Sequence, residues 1–201
     1  AILSENRLDL FPVLWAAQRT GLYYTPVNWH LTAGEAAYVV ENCGARLVVA
    51  SATLADLAAE LPEVEHRFSL GGAVPGHEPL EPRVELLPAT PVEDQSEGCY
   101  MLYSSGTTGR PKGILPMMPD APFGTGMPFD HLMQSAFGFS PETIYLSPGP
   151  LYHAAPLGWS LGAIRAGGTT VIMDRFDPEI VLRLIERDKV CLLYTSPSPR
   201  D

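Results

Sequence analysis

The sequence predicts an α/β fold with mostly parallel sheets and flanking helices. Short apolar runs alternate along the chain with segments whose apolar residues recur at helical spacing. Helix starts are marked by capping residues: Thr32 and Glu35 form a capping-box pattern, and Asp177 stands before Pro178. Because strands and helices alternate, the connections are those of parallel strands joined by helices.

The elements are predicted in chain order from these signals. Leu8–Thr20 has helical spacing and ends at Gly21, and the capping box opens a helix that ends before Gly44. Further helices are predicted over 52–61, 129–137, 153–166 and 177–187, and strands over 22–27, 46–50, 99–103, 143–146 and 169–173. The Gly- and Pro-rich stretch 71–98 is predicted to be loop, with at most a short strand near Val84–Leu87, and 116–130 is predicted to be irregular.

Composition excludes several classes of function. The 13 basic and 23 acidic residues give a net charge of −10, which disfavours nucleic acid or an anionic membrane surface as the main partner. No apolar run in these residues is long enough to be a transmembrane segment, and we expect no signal peptide. The three cysteines are widely spaced and odd in number, so we expect no disulfide framework and a cytoplasmic setting. No Cys/His spacing predicts a metal site.

The segment Tyr103–Gly113 carries the clearest chemical signal. Glycines follow a buried strand and let the backbone turn its N–H groups toward one point, which forms an anion-binding nest. The candidate phosphate-binding residues are Ser104, Ser105, Gly106, Thr107, Thr108, Gly109 and Lys112. The hydroxyls add donors, and Lys112 adds a mobile positive charge. The segment therefore predicts a polyphosphate site.

Other interpretations of this loop fit less well. In a Walker P-loop the second glycine position would fall on Pro111, which has no N–H to donate, and Gly113 would be Ser or Thr. Neither a serine-hydrolase elbow nor a dinucleotide fingerprint is present. A surface linker rich in Gly and Ser is the remaining alternative, but such linkers seldom combine a buried strand before them with Pro-Lys-Gly after them.

Tyr103–Gly113 resembles the phosphate-binding signature of the AMP-forming synthetase superfamily, which includes acyl-CoA synthetases, luciferases and adenylation domains. Every position of that pattern is matched. Pro150–His153 is similar to a downstream Pro-Leu-aromatic-His element of the same family, and Asp177–Glu179 continues the likeness. The resemblance implies that residues 1–190 are a partial, large N-terminal adenylation domain. Residues 191–201 are predicted to be a non-native or disordered tail, with a real strand over 191–195 as the alternative.

The resemblance also implies a two-step reaction. A carboxylic acid, expected to be a fatty or other apolar acid, attacks ATP to give an acyl-adenylate, and a thiol, usually that of CoA, then displaces AMP. Ser104 to Gly109 and Lys112 would neutralise phosphate charge together with Mg²⁺. Lys112 and His153 are the candidate catalytic residues. His153 is expected to border the carboxylate pocket and to orient the acid, and the alternative is a buried histidine at a helix start.

Two other functions stay open at this point: a non-catalytic nucleotide-binding or interaction domain of the same fold, and a phosphotransferase with an unusual loop. The family's adenine-, ribose- and magnesium-binding elements and its C-terminal lysine have no counterpart in these 201 residues. We therefore expect the polypeptide by itself to be inactive and prone to aggregate. The other histidines, His30, His66, His77 and His131, are predicted to lie at the surface.

Overall fold

The computed structural model describes residues 1–104 and 110–193. They form two compact units. The first comprises Ala1–Glu5 and the described residues of Asp9–Thr125, and the second comprises Asn6–Leu8 and the described residues from Gly126 onward.

The strands and helices alternate, as predicted. The strands are β1 (Ile2–Leu3), β2 (Tyr23–Tyr24), β3 (Pro26–Val27), β4 (Leu47–Ser51), β5 (His66–Leu70), β6 (Glu78–Pro79), β7 (Cys99–Tyr100), β8 (Leu102–Ser104), β9 (Lys112–Ile114), β10 (Ile144–Ser147), β11 (Thr169–Ile172) and β12 (Leu192–Leu193). The α-helices are α1 (Leu10–Arg19), α2 (Ala33–Asn42), α3 (Ala55–Ala59), α4 (Leu80–Glu85), α5 (Pro128–Phe137), α6 (Ala154–Arg165) and α7 (Pro178–Asp188), and a short 3₁₀ helix, Ala52–Leu54, precedes α3.

The main sheet of the first unit has the order β3-β1-β4-β5-β6, and its strands are parallel. Its centre is β4, whose residues 48–50 are buried on both faces, as a parallel strand covered by helices requires. Helix α2 packs its Ala36, Val39 and Val40 into the same core. The start of α2 is the predicted capping box, because the Thr32 hydroxyl accepts from the backbone N–H of Glu35 and the Glu35 carboxylate accepts from that of Thr32.

A buried polar cluster connects α1 to the chain before β7. Gln18 donates its side-chain amide to Glu97 Oε1 at 2.7 Å and to the Gly98 carbonyl at 2.6 Å, and its own Oε1 accepts from the Tyr24 hydroxyl at 2.7 Å. Glu97 Oε2 accepts from the backbone N–H of Gly124 at 3.0 Å. All three side chains, Gln18, Tyr24 and Glu97, are buried, so these hydrogen bonds satisfy groups that water cannot reach.

In the second unit, the described strands form a parallel sheet in the order β11-β10-β12. Trp159 of α6 lies in its core, within 6.3 Å of four other aromatic rings, those of Phe129, Phe137, Phe139 and Tyr145. Asn6 accepts from the backbone N–H of Leu151 and donates to the carbonyls of Gly149 and Met173, which joins three segments of this unit. Helix α7 starts at Asp177, whose carboxylate accepts two backbone N–H groups, as the sequence predicted.

The prediction of secondary structure was wrong at several places. Residues 84–87 form no strand, since α4 extends to Glu85; a segment of four residues is too short for its periodicity to distinguish a helix from a strand. Strand β5 was missed. The predicted strands 22–27 and 99–103 are each two short strands, because each segment changes its pairing partner half-way. Their first halves, β2 and β7, pair with each other. Their second halves pair elsewhere, β3 with β1 and β8 with β9.

Candidate phosphate-binding site

The predicted phosphate-binding segment closes a hairpin in the first unit. Strands β8 and β9 are antiparallel, and their register places Leu102 opposite Ile114, Tyr103 opposite Gly113, and Ser104 opposite Lys112. The predicted site residues Ser105, Gly106, Thr107, Thr108 and Gly109 lie outside the described residues. The structure therefore brings together the two described members of the site, Ser104 and Lys112, at the last paired position before the loop.

This last pair is exposed, whereas the hairpin is anchored further back. Ser104 and Lys112 are both exposed to solvent, and Leu102 is buried. An exposed hydroxyl facing an exposed ammonium group offers hydrogen-bond donors and one positive charge to a ligand. Both groups keep their hydration until a ligand arrives, so their polarity costs the fold little.

The neighbouring pair, Tyr103 and Gly113, explains why glycine follows Lys112. A Cβ atom on Gly113 would lie 3.1 Å from the Tyr103 ring carbon Cζ and 2.5 Å from Met101 Cε. Only a glycine lets these side chains lie against β9 without displacement. Tyr103 packs against the core of the first unit. Its partial burial, with smaller contributions from Cys43 and Tyr38, raises the pKa of its phenol to about 12.

The donor set of the hairpin suits a phosphate group better than a protein-only metal site. Within residues 1–104 and 110–193 no group of three or more His, Cys, Asp and Glu side chains could hold a metal ion. Mg²⁺ in nucleotide-dependent enzymes is held largely by phosphate oxygens and water. The hydroxyl of Ser104 and the ammonium of Lys112 fit that arrangement, because they would bind the phosphates and leave other oxygens to the ion.

His153 lies in the second unit, at the N-cap position of α6. Its carbonyl accepts from the backbone N–H of Leu157, but its side chain makes no capping hydrogen bond. The imidazole is exposed and its centroid is 4.5 Å from that of Tyr152. The alternative of a buried histidine at the helix start is therefore wrong.

Among the other histidines, His77 corrects the prediction of surface positions. It is buried, and its Nδ1 lies 3.1 Å from the Pro75 carbonyl oxygen. Burial lowers the pKa of its imidazole. A Gly- and Pro-rich stretch gave no sign that one of its side chains would point inward.

Sequence reasoning missed three residues around the hairpin: Tyr38, Asn42 and Arg110. Their contacts are described below. The capping box placed Tyr38 and Asn42 one turn apart on α2, but no pattern indicated that this helix face would meet the hairpin.

The sequence profile of the AMP-binding enzyme family matches residues 1–199. The chain belongs to the AMP-binding enzyme family. Feruloyl-CoA synthase from an Amycolatopsis species is 27% identical over 199 residues, which are 98% of this chain and 38% of that protein. A 4-coumarate–CoA ligase-like protein of Oryza sativa subsp. japonica is 32% identical over 205 residues, covering 98% of this chain and 37% of that protein.

The fold comparison agrees with this membership. A solved structure from Rhodopseudomonas palustris CGA009, assigned as a long-chain-fatty-acid CoA ligase, matches with a TM-score of 0.81 and 27% identity over 98% of this chain and 50% of its own. The α/β architecture predicted from the sequence is therefore confirmed, and the relatives are acyl-CoA ligases. The chain spans 38% of the length of the first of these curated relatives. In the described part of the chain, no helix has the length and apolar character that crossing a membrane requires.

Proposed function

We propose that this chain forms the ATP-phosphate-binding part of a ligase that activates a carboxylic acid as an acyl-adenylate and transfers the acyl group to CoA. The observation that carries the proposal is the exposed pair Ser104 and Lys112, held opposite each other where the hairpin strands end. Their spacing within the matched family segment supports the assignment of the intervening loop to the phosphates of ATP.

The first step is an attack of a carboxylate oxygen on the α-phosphorus of ATP. The bond from this phosphorus to the oxygen that bridges it to the β-phosphate breaks, and pyrophosphate leaves with the electron pair. Lys112 and the Ser104 hydroxyl would stabilise the charge that gathers on the leaving phosphates, together with the loop residues Ser105, Gly106, Thr107, Thr108 and Gly109. Mg²⁺, when bound, would supply further positive charge at the phosphate oxygens.

In the second step the CoA thiol loses its proton to water and its sulfur attacks the acyl carbon, the bond from that carbon to the phosphate oxygen breaks, and AMP leaves. We assign His153 to the carboxylic acid, which its imidazole would orient by a hydrogen bond. Its exposure at the N-cap position of α6 supports this role. Positioning is proposed rather than proton transfer, since a carboxylate that attacks as a nucleophile has no proton to lose.

The acid is proposed to be apolar, with fatty acids as the first class to test. The relatives named above carry names that refer to ferulic acid, 4-coumaric acid or long-chain fatty acids. Aromatic acids should therefore be assayed beside fatty acids. A cytoplasmic location is proposed because the three cysteines of the chain are odd in number and widely spaced. The chain spans 38% of the length of the feruloyl-CoA synthase named above. We therefore also propose that these 201 residues alone do not complete the reaction.

The test is ATP–pyrophosphate exchange by the full-length enzyme that contains this region. Lys112→Ala should lower the exchange rate about ten- to a hundred-fold, because one charge-assisted contact is worth about 1.5–3 kcal/mol. The matched control is the chain's other lysine, Lys189, which is exposed in the second unit. Lys189→Ala removes the same charge and should leave exchange unchanged. Equal exchange rates in the wild type and Lys112→Ala would refute the phosphate assignment.

A further inference from the structure

The hairpin contacts one face of α2 on both sides of the loop. Before the loop, the Tyr103 hydroxyl donates to Asn42 Oδ1 at 2.7 Å. After it, the guanidinium carbon of Arg110 lies 5.2 Å from the centroid of the Tyr38 ring. Tyr38 and Asn42 are four residues apart in α2, so they lie on the same face of the helix, one turn from each other.

These contacts differ in kind, and they involve residues on either side of the exposed pair: Tyr103 in β8 and Arg110 just before β9. Tyr103 is the neighbour of Ser104, and Arg110 stands two residues before Lys112. The hydrogen bond has the short distance of a well-formed O–H···O contact. The cation–π contact has the separation at which the quadrupole of an aromatic ring attracts a guanidinium group. The hydrogen bond therefore restrains Tyr103, which precedes Ser104, and the cation–π contact restrains Arg110, two residues before Lys112.

Helix α2 is itself a firm support for such contacts. Its first turn is held by the capping box, and Ala36, Val39 and Val40 are buried in the core of the first unit. Tyr38 is half-buried against that core, whereas Asn42 is exposed. An exposed asparagine near a helix end contributes little to packing, so its hydrogen bond to Tyr103 is its principal contact with the hairpin.

We propose that Asn42 and Tyr38 are positioning residues that hold Ser104 and Lys112 in the geometry required for binding ATP phosphates. The inference rests on the function proposed above and extends it to helix α2, which contains none of the proposed phosphate-binding residues. Asn42 acts through Tyr103 and Tyr38 acts through Arg110. The consequence is specific to one substrate: loss of either contact should weaken the use of ATP and not that of the acid.

The first experiment measures KM for ATP and KM for the acid in the full-length enzyme. Asn42→Leu removes the acceptor and should raise KM for ATP about two- to tenfold, the range for one neutral hydrogen bond. Asn42→Asp retains an acceptor oxygen and should stay close to the wild type. Tyr103→Phe should reproduce the effect of Asn42→Leu, and the double variant should be no worse than either single one.

The second contact is tested with its own variants. Arg110→Ala should raise KM for ATP about two- to fivefold, as expected for an exposed cation–π contact. Tyr38→Phe keeps an aromatic ring and should retain the wild-type KM, whereas Tyr38→Leu should match Arg110→Ala. Glu41→Ala is the control on the same helix, because Glu41 is exposed and adjacent to Asn42.

The results separate this inference from the proposed function. If Lys112→Ala lowers exchange but Asn42→Leu and Arg110→Ala leave KM for ATP unchanged, the positioning role is wrong and the phosphate site stands. If Lys112→Ala has no effect, the proposed function itself is wrong. Equal increases of KM for ATP and for the acid, or strictly additive effects in the Asn42/Tyr103 double variant, would also overturn the positioning role.

Discussion

The first unit contains two polar groups that differ in almost every physical respect. The buried polar cluster of Gln18, Tyr24 and Glu97 is closed to solvent, and its side chains bond to one another and to backbone. The exposed pair of Ser104 and Lys112 follows Glu97 along the chain and faces water. The buried carboxylate of Glu97 stabilises the fold, and the exposed ammonium group of Lys112 is accessible to solvent.

With the proposed phosphate site, one segment would serve both folding and binding. Glu97 joins the chain that leads into β7 to the residues near Gly124, through its side chain and through its backbone N–H to Ala121. Removing a buried hydrogen-bond acceptor leaves its donors without a partner and out of reach of water. Removing an exposed one returns its neighbours to water. Substitutions in the two groups should therefore separate stability from activity.

The largest effect on stability is expected for Glu97→Ala. The buried Gln18 amide would lose one of its two acceptors, which costs about 1–3 kcal/mol, and the exposed Gly124 N–H would turn to water. Urea unfolding followed by tryptophan fluorescence should show a lower midpoint. Glu97→Gln is the control, because it keeps one acceptor oxygen and the side-chain shape and should cost less. A midpoint equal to that of the wild type would show that the cluster does not support the fold.

Next in size is Gly98→Ala. A Cβ at this position would lie 2.6 Å from the Ala17 carbonyl oxygen and 2.8 Å from that of Leu22, both backbone atoms that cannot rotate away. We expect a loss of about 1–3 kcal/mol from overpacking, measured in the same unfolding experiment. Gly34→Ala serves as the control, since a Cβ on Gly34 of α2 meets no atom within 4 Å. It should be neutral or slightly stabilising.

A smaller effect is expected for Tyr103→Phe, about 0.5–1.5 kcal/mol at neutral pH for one hydrogen bond. The pKa of this phenol is raised from 10.0 to about 12, so the stability it contributes is complete below pH 10 and is lost as the pH rises through about 12. The difference in unfolding free energy between the wild type and Tyr103→Phe should thus shrink between pH 10 and 12. A difference that stays constant over that range would contradict this environment for Tyr103.

The smallest effect on stability is expected for Lys112→Ala. Lys112 is exposed, and exposed substitutions of this kind change the free energy of unfolding by about 0.5 kcal/mol or less. The same variant should have the largest loss of exchange activity, which completes the contrast with Glu97→Ala. A destabilisation comparable to that of Glu97→Ala would mean that Lys112 has a structural partner and that its loss of activity follows from unfolding.

Much of the fold was determined by the sequence alone. The capping box at Thr32 and the Asp177-Pro178 start both form as predicted, because these residues satisfy backbone donors within their own helix. Helix and strand periodicity likewise placed β4, β10 and α6, whereas the phosphate segment at residues 103–113 stays a prediction. These are local interactions, which neighbouring residues encode completely.

Only the tertiary structure decided which distant segments meet. Residues 22–27 and 99–103 each change their pairing partner half-way. The local spacing of apolar residues does not indicate either change, because pairing depends on the strands that lie beside them. The same holds for the Glu97 acceptor of Gln18 and for the contacts of Asn42 and Tyr38 with the hairpin. Residues 79 and 61 positions apart form these two hydrogen bonds, and such contacts exist only once the chain has brought both ends together.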